Sequence, residues 1–287
     1  MLVANRSVRR LSRVIRDFTA PPTLAEAASA WLGDDPPAPA VPRPAATVLL
    51  VRDDVGVGVG VFMLRRQTSM AFAAGMYVFP GGGVDPRDAE PGVPWAGPSR
   101  AQWGGWLGAE PGHAGALVCA AVRETFEECG VLLAGPDPTS VVDDVSGADW
   151  EADRQALITK ELALTEMLER RGLVLRSDLL RPWAHWGTPE FEPRRYDTRF
   201  FLAAVPRGQR PRHVGGEAAA SGWWRPAEVL DGAARGEVGL MPPTLVCVEE
   251  LAAAGSVEAL LSSERRLTPV MPAATRDGDR VTLRAEL

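Results

Sequence analysis

The sequence predicts an α/β protein, in which short strands and helices are interspersed along a chain of 287 residues. Two observations support this prediction. Short apolar runs bounded by turn residues are typical of strands, and longer helical patterns that begin at a proline or end at a glycine lie between them. Strands are predicted at residues 46–51, 57–64, 77–79, 179–186, 198–205 and 217–224, and helices at 23–32, 99–107, 149–171, 226–234, 242–254 and 256–261, with a further helix that ends near residue 130.

The bulk composition describes an ordinary soluble globular protein, with 46% hydrophobic and 24% charged residues. A net charge of −6 argues against a general nucleic-acid-binding surface. Every uninterrupted apolar run is shorter than the roughly 18 residues that span a bilayer, so no stable membrane insertion is expected. Cys119, Cys129 and Cys247 lack metal-ligand spacing, so we expect reduced thiols and a cytoplasmic protein.

The chain is predicted to consist of three segments. Residues 1–44 form an N-terminal helical extension that ends in a proline-rich linker, residues 45–265 form the main domain, and residues 266–287 form a tail. The stretch 6–16 is basic and mildly amphipathic, but it lacks the apolar core and cleavage site of a secretory signal. A targeting segment, a membrane-surface helix and a loosely held helix all remain open for it.

The main domain begins with a predicted β-hairpin and a glycine-rich turn. The hairpin joins the first two predicted strands through a bend at Asp53 and Asp54. A short strand then leads into Pro80 and three consecutive glycines, Gly81–Gly83. Glycines allow the backbone to approach a ligand closely, so this turn is a candidate part of a binding site.

The most informative segment is an acidic helix that ends at Gly130, a residue suited to a helix C-terminus. Glu124, Glu127 and Glu128 have i, i+3 and i+4 spacing and therefore share one helix face. Their mutual repulsion would be relieved by a hard divalent cation, and the alternative is a solvated acidic surface. The opposite face is apolar and is predicted to pack on a sheet through Cys119, Val122, Phe126 and Cys129.

The glycines at 81 and 82, followed by Arg-Glu-Thr-Phe-Glu-Glu-Cys-Gly-Val at 123–131, resemble the signature of Nudix hydrolases. That signature is a glycine, five residues, a glutamate, seven residues, and Arg-Glu-apolar-x-Glu-Glu-x-Gly-apolar. The sequence departs from it at Thr125, where an aliphatic residue is usual, and at Gly115, where the first glutamate is expected. A long insertion also separates the glycines from the helix.

The insertion is similar to the RP2-type branch of the family, whose members hydrolyse coenzyme A and acyl-CoA. Residues 63–85, 180–202 and 241–244 also resemble that branch, and the whole resemblance covers about residues 45–254. It implies a Nudix-type α/β/α sandwich with a mixed β-sheet. It also implies metal-dependent hydrolysis of a diphosphate linkage in a nucleotide conjugate, most simply CoA or acyl-CoA.

The resemblance carries over a set of metal ligands and a supporting arginine. Glu124, Glu127 and Glu128, with the backbone carbonyl of Gly82, are the implied ligands of Mg²⁺ or Mn²⁺. Arg123 is expected to pair with a neighbouring carboxylate and to hold the cluster in place, and the alternative for it is an ordinary surface pair with Glu127.

The catalytic base and the substrate contacts are less closely defined. Glu217 is the candidate base, and together with Arg123, Glu127 and Glu128 it completes the candidate catalytic set, whereas His185 and His213 are alternative bases. Arginines in the stretches that resemble the CoA branch could bind phosphates, although some of them are expected to be structural. These candidate substrate-binding residues are Arg65, Arg66, Arg194, Arg195 and Arg199.

Two other functions remain open at this point. One is a diphosphatase of a different nucleotide conjugate, such as NADH or ADP-ribose. The other is a catalytically silent Nudix module that binds a nucleotide or a protein partner, although intact carboxylates at 124, 127 and 128 argue against it. The expected partner is a small-molecule nucleotide, and the sequence also leaves a homodimer open.

Overall fold

The structure is a computed structural model that describes residues 14–20, 22–33, 35–54, 58–67, 75–212, 218–278 and 280–287. The α-helices are α1 (Pro22–Trp31), α2 (Arg100–Leu107), α3 (Pro111–Cys129), α4 (Ala148–Ile158), α5 (Leu164–Arg171), α6 (Pro226–Ala234), α7 (Pro242–Ala252) and α8 (Val257–Leu261). Among the described residues, every helix is too short or too polar to span a bilayer.

The strands are β1 (Ile15–Thr19), β2 (Arg43–Asp54), β3 (Gly58–Arg66), β4 (Tyr77–Val78), β5 (Gly81–Gly83), β6 (Trp95–Ala96), β7 (Ala134–Gly135), β8 (Val174–Arg176), β9 (Leu180–Gly187), β10 (Tyr196–Ala204), β11 (Ala218–Trp224), β12 (Pro269–Val270), β13 (Ala273–Asp277) and β14 (Arg280–Glu286). Contacts divide the chain into two compact units. The smaller takes its described residues from 1–41, 187–195 and 270–287, and the larger takes its described residues from 42–186 and 196–269.

The smaller unit contains a three-stranded sheet in the order β1-β14-β13, with α1 packed near β13 and β14. Both pairings are antiparallel, and Phe18 is buried opposite Leu283. The sequence predicted a helical extension and a separate tail here, and the strand β1 was not foreseen. Its partner β14 lies at the other end of the chain, so no local pattern indicates the pairing.

The larger unit is built on a mixed sheet with the strand order β11-β3-β2-β10-β9. β2 is antiparallel to β3 and parallel to β10, and β3 is antiparallel to β11. The predicted hairpin is therefore present, since Asp54 pairs with Gly58. Two short strands add to this arrangement. β4 pairs with β3, and β5 pairs with β2.

Both faces of the central strand β2 are covered. Val48, Leu49, Leu50 and Val51 are all 0% exposed, although successive side chains of a strand point to opposite faces. Val48 and Leu50 share a core with the apolar residues of α3, whereas α8 contacts β2 and β10. The resulting arrangement of helices on both faces of a mixed sheet agrees with the α/β/α sandwich that the sequence predicts.

Helix α3 lies in the centre of the larger unit. Its predicted apolar face is buried, since Cys119, Val122, Phe126 and Cys129 are all 0% exposed. Gly130 ends the helix with φ of 64°, as its position predicted, and its N–H donates to the carbonyl of Phe126. α3 contacts β5 as well as β2, so the acidic segment and the glycine turn lie together.

The insertion between the glycine turn and α3 is folded. It contains a 3₁₀ helix (Pro86–Ala89), β6 and α2, and α2 packs against α3. β6 joins a small sheet in the order β6-β8-β7. The inserted residues therefore contribute to the core, and Trp103 of α2 is fully buried.

The single long helix predicted at 149–171 is wrong, because the structure divides it into α4 and α5. Lys160, with φ of 63°, lies in the left-handed region, and α4 ends before it at Ile158. Leu157 and Leu164, on either side of the break, are buried in the same core. The apolar residues therefore continue across the break at helical spacing, and the sequence pattern of two helices looks like that of a single helix. Gly172 ends α5 with φ of 64°, as predicted.

Gln209 stabilises the segment that follows α3, and its removal tests this part of the fold. Its amide oxygen accepts from the Leu132 N–H at 2.8 Å, and its amide nitrogen donates to the carbonyls of Leu132 at 2.9 Å and Val142 at 2.8 Å. We expect Gln209→Ala to lower the free energy of unfolding by about 1–3 kcal/mol, because buried backbone groups lose their partners. Urea denaturation measures this change. The exposed Gln155→Ala is the control, and equal destabilisation of the two variants would contradict the prediction.

Candidate active site

The acidic face of α3 lies directly against the glycine turn. The N–H of Gly81 donates to Oε2 of Glu128 at 2.7 Å. A Cβ placed on Gly82 would lie 2.5 Å from Oε1 of Glu124, and one on Gly81 would lie 2.5 Å from the carbonyl oxygen of Ala46. A side chain is therefore excluded at Gly81, where it would meet backbone atoms, whereas a side chain at Gly82 would displace the Glu124 carboxylate.

Arg123 joins three elements of the site through one guanidinium group. Its Nε and Nη2 donate to Asp88 at 3.0 and 2.9 Å, and Nη2 also donates to the carbonyl of Gly83 at 2.9 Å. Nη1 donates to Glu124 at 2.8 Å and to Glu127 at 3.2 Å. The side chain is only 10% exposed, so the contact with Glu127 belongs to a buried network and is not an isolated surface pair.

Asp88 is a member of this site that the sequence reasoning missed. It lies in the 3₁₀ helix of the insertion and is 3% exposed. Its Oδ2 also accepts from the N–H of Asp85 at 2.8 Å, which fixes the carboxylate relative to its own backbone. Its partner Arg123 is 35 residues away in the sequence, but Asp88 follows Gly82 after five residues, which is the spacing of the signature's first acidic residue and is the signal that could have identified it.

Burial changes the protonation equilibria of the cluster. Loss of solvent raises the pKa of Glu124 to about 7, with Arg123 opposing the shift and Glu127 adding to it. Loss of solvent also raises the pKa of Glu127, again against the influence of Arg123. Burial alone would lower the pKa of Arg123, but the bond to Asp88 and the charge of Glu124 outweigh it and raise that pKa. Several carboxylates therefore share one guanidinium group in a cluster that is shielded from solvent.

The donor chemistry of this cluster fits Mg²⁺ or Mn²⁺, which prefer oxygen ligands and carry the charge that the cluster lacks. Within the described residues, no three His, Cys, Asp or Glu side chains already form a group arranged to hold a metal ion. Arg123 contacts both Glu124 and Glu127, while Glu128 accepts a bond from Gly81. Binding of one cation by all three glutamates therefore requires side-chain rotation.

The C-terminal end of α3 is fixed by two further arginines that the sequence reasoning did not identify. Arg154, 1% exposed, donates from Nη1 to the carbonyl of Glu127 at 2.6 Å. The backbone N–H of Arg212 donates to the carbonyl of Cys129 at 3.1 Å. Both contacts satisfy carbonyls that a helix end leaves free, and a cation is favourable at this end of the helix dipole. The backbone that carries Glu127 and Glu128 is therefore held in place.

Of the three candidate bases, only His185 lies in the part of the chain that the structure describes. Glu217 and His213 lie outside the described residues. His185 is packed in the larger unit, with Nε2 at 2.5 Å from Oδ1 of Asp197 and 2.6 Å from Nη1 of Arg199. Its ring is thus engaged in an internal network.

Three of the predicted substrate-binding arginines lie in the larger unit. Arg199 is 4% exposed, and its guanidinium donates to Asp197 and to the carbonyl of Leu107. Arg65 is exposed and Arg66 is half-buried, both at the end of β3. Arg65 and Arg66 are thus more accessible to a ligand than Arg199.

The other two lie in the smaller unit. Arg195 donates to the carbonyls of Ala40 at 2.8 Å and Thr188 at 3.2 Å, whereas Arg194 is exposed. A substrate contact by any of the five arginines stays a prediction.

Gly82→Ala tests whether the glycine turn sets the position of the Glu124 carboxylate. The added methyl group would meet that carboxylate at 2.5 to 2.7 Å, so the glutamate must move away from the turn. We expect at least about a tenfold loss of Mn²⁺ affinity, of the size seen when the support of a ligand is lost. Isothermal titration of the protein with Mn²⁺ measures this loss.

The neighbouring Gly83→Ala is the matched control. A Cβ on Gly83 has no atom within 4 Å, and neither glycine has a positive φ. We expect this variant to bind Mn²⁺ as the unaltered protein does. Equal affinities for the two alanine variants would contradict the role given to Gly82.

The chain is similar to a protein-family model, to curated proteins and to solved structures. The model of the NUDT19 Nudix domain matches residues 101–251, which is more than half of the chain. The chain is 29% identical over 223 residues to acyl-coenzyme A diphosphatase NUDT19 of Gallus gallus, with 64% of this chain and 58% of that protein covered. It is 30% identical over 192 residues to putative nudix hydrolase 7 of Caenorhabditis elegans, with 64% and 52% covered.

The chain therefore spans slightly more than half the length of the curated relatives it matches. Among solved structures, a NUDIX hydrolase from Alicyclobacillus acidocaldarius is similar with a TM-score of 0.66 and 29% identity. The match covers 79% of this chain and 98% of that one. The fold predicted from the signature is thereby confirmed, and the chain belongs to the Nudix hydrolases of the NUDT19 type.

Proposed function

We propose that this protein is a metal-dependent diphosphatase that hydrolyses the diphosphate linkage of a nucleotide conjugate, with CoA or acyl-CoA as its substrate. One observation carries the proposal. Three glutamates of α3 lie beside a glycine turn, in a cluster where a single guanidinium group contacts Glu124, Glu127 and Asp88. The substrate class rests on the name of the Gallus gallus relative, an acyl-coenzyme A diphosphatase.

In this proposal Glu124, Glu127, Glu128 and the carbonyl of Gly82 hold Mg²⁺ or Mn²⁺. When bound, such a cation neutralises charge on the diphosphate and lowers the pKa of an attacking water. Arg123 donates to both Glu124 and Glu127, and the N–H of Gly81 donates to Glu128. In this proposal these contacts keep the three carboxylates at the site, and the glutamates rotate towards the cation when it binds.

Proton removal from the attacking water is assigned to Glu217, which stays a prediction because that residue lies outside the described part of the chain. A CoA-type substrate also carries a ribose phosphate, which a guanidinium group can bind through two parallel hydrogen bonds. Arg65 is the exposed candidate of the larger unit for this contact. Three buried free cysteines, Cys119, Cys129 and Cys247, are compatible with a reducing compartment such as the cytoplasm.

Neutral replacement of two ligands tests the proposal. We expect Glu127→Gln and Glu128→Gln each to lower kcat/KM by about 10²–10⁴, since the lost carboxylate contributes several kcal/mol to the transition state. A phosphate-release assay with a coupled phosphatase measures turnover, and circular dichroism checks the fold. The exposed Glu258→Gln, on α8, is the control and should retain full activity. Near-normal turnover by both ligand variants would contradict the assignment.

A substrate panel tests the substrate class separately. We expect faster turnover of CoA and acyl-CoA than of NADH and ADP-ribose, with Mg²⁺ or Mn²⁺ present and with loss of activity in EDTA. Cleavage of CoA should give phosphopantetheine and 3′,5′-ADP, which chromatography separates. Faster turnover of NADH or ADP-ribose would contradict the CoA assignment and would indicate a diphosphatase of a different nucleotide conjugate. Nucleotide binding without any turnover would indicate a silent module.

A further inference from the structure

A cavity of about 740 Å³ lies in the larger unit. Pro98 and Trp106 of the insertion line it, together with Arg181 and Pro182 of β9 and with residues 261–266, at the end of α8 and beyond. Its volume falls in the range of about 300–1,000 Å³ that is usual for small-molecule sites. None of the lining residues that the structure describes belongs to the candidate metal ligands, catalytic residues or substrate-binding arginines, so the proposed function leaves this cavity without a role.

The guanidinium group of Arg181 is held in place by three backbone carbonyls at the wall of this cavity. Its Nε donates to the carbonyl of Leu261 at 3.1 Å, and its Nη1 donates to the carbonyls of Asp178 at 2.7 Å and Leu180 at 2.8 Å. Its Nη2 has no hydrogen-bond partner among the described residues, and neutral carbonyls do not cancel the positive charge. A ligand therefore meets an already ordered cation, which lowers the entropy cost of binding.

Two other charged residues of the cavity are already paired. Asp178 accepts from Nε and Nη2 of Arg176, at 2.8 and 2.7 Å. Arg265 donates to Glu250 at 2.9 Å, and its guanidinium carbon lies 3.4 Å from the ring centroid of Trp183. These two paired groups therefore add little net charge to the cavity.

The remaining charges of the cavity are mainly positive. Arg181 and Arg266 have no ion-pair partner among the described residues, and Arg266 is exposed. Glu264 is the one lining carboxylate that lacks such a partner within the same part of the chain, and it is exposed too. Two unpaired cations thus line the cavity with one unpaired anion, so an anionic ligand is favoured.

Trp106 provides an accessible aromatic surface at the same cavity. It is 41% exposed, and its ring centroid lies 5.1 Å from that of the fully buried Trp103, with the two rings at 84°. The indole is therefore anchored by a core residue, while much of its surface stays open to a planar ligand. An aromatic base stacks well on such a surface, and Pro98 and Pro182 add apolar area to the wall.

We propose that this cavity is a second binding site of the protein and that it takes a nucleoside monophosphate. The base stacks on Trp106, and the phosphate is bound by Arg181 and Arg266. A phosphate suits these arginines because its several terminal oxygens can accept from two guanidinium groups at once. The inference goes beyond the proposed function, since such a ligand has no diphosphate linkage to hydrolyse and the glutamates of α3 do not line the cavity.

Isothermal titration of the full chain with AMP tests the site, in EDTA so that no divalent cation occupies the acidic cluster. We expect Arg181→Gln to weaken AMP binding by about tenfold or more, because a hydrogen bond between charged groups is lost. Trp106→Ala should weaken it by about fivefold or more, because the base loses the ring on which it stacks. Arg266→Gln should weaken it by about three- to fivefold, since solvent screens an exposed charge.

Arg207→Gln is the matched control for Arg266→Gln. Both arginines are exposed and have no ion-pair partner among the described residues, but Arg207 lies outside the cavity. We expect Arg207→Gln to bind AMP as the unaltered protein does. An equal loss of affinity in the two variants would overturn the inference, because the change in net charge would then explain it.

Unchanged AMP affinity in Arg181→Gln, Arg266→Gln and Trp106→Ala would show that AMP binds elsewhere on the protein, and would overturn the inference. Absence of AMP binding to the unaltered protein would overturn it as well. Arg266→Gln keeps the test valid even if Arg181→Gln fails to fold, since Arg266 is exposed and makes no hydrogen bond to a described residue. Circular dichroism checks the fold of each variant.

Fragments of AMP test the chemical class of the ligand. We expect adenosine, which lacks the phosphate, and ribose 5-phosphate, which lacks the base, each to bind at least about tenfold more weakly than AMP. Equal affinity of ribose 5-phosphate and AMP would exclude stacking on Trp106. Equal affinity of adenosine and AMP would exclude the phosphate contacts of Arg181 and Arg266. Either result would overturn the assignment of the cavity to a nucleoside monophosphate.

Discussion

The buried guanidinium group of Arg123 is the constraint on which the site depends. It joins the 3₁₀ helix of the insertion, the glycine turn and the acidic face of α3. A buried charge is costly unless its partners are close and well aligned, and this group has hydrogen bonds from Nε and from both Nη atoms. Since three separate segments supply those partners, the site and the local fold depend on the same contacts.

The surrounding fold holds this charged cluster in a fixed place. α3 is covered by core residues along most of its length, and its last turn is fixed through the contacts of Arg154 and Arg212 with its carbonyls. β5 attaches the glycine turn to the edge of β2. The glutamates therefore lie on rigid elements, which favours precise placement of charged groups whose pKa values are raised by burial.

The parts of this structure that follow local rules could be predicted from the sequence. The apolar and acidic faces of α3, the glycine that ends it at 130 and the hairpin of β2 and β3 all follow from spacing within a few residues. Arg154 and the pairing of β1 with β14 could not be predicted, because each depends on a partner that is distant in the sequence. Asp88 was missed although it follows Gly82 at the spacing of the signature, because the missing glutamate was sought by counting back from Arg123 to Gly115. The break at Lys160 was missed because the apolar periodicity of α4 and α5 continues across it.

The central claim is that the acidic face of α3 binds the cation that catalysis requires. Crystals of the protein soaked in Mn²⁺, with diffraction data collected for anomalous scattering, test it most directly. The account predicts an anomalous peak in contact with carboxylate oxygens of Glu124, Glu127 and Glu128. The side chain of Glu128 should have turned away from the N–H of Gly81. A map with no peak at this cluster, in which Arg123 and Glu128 keep their present contacts, would contradict it.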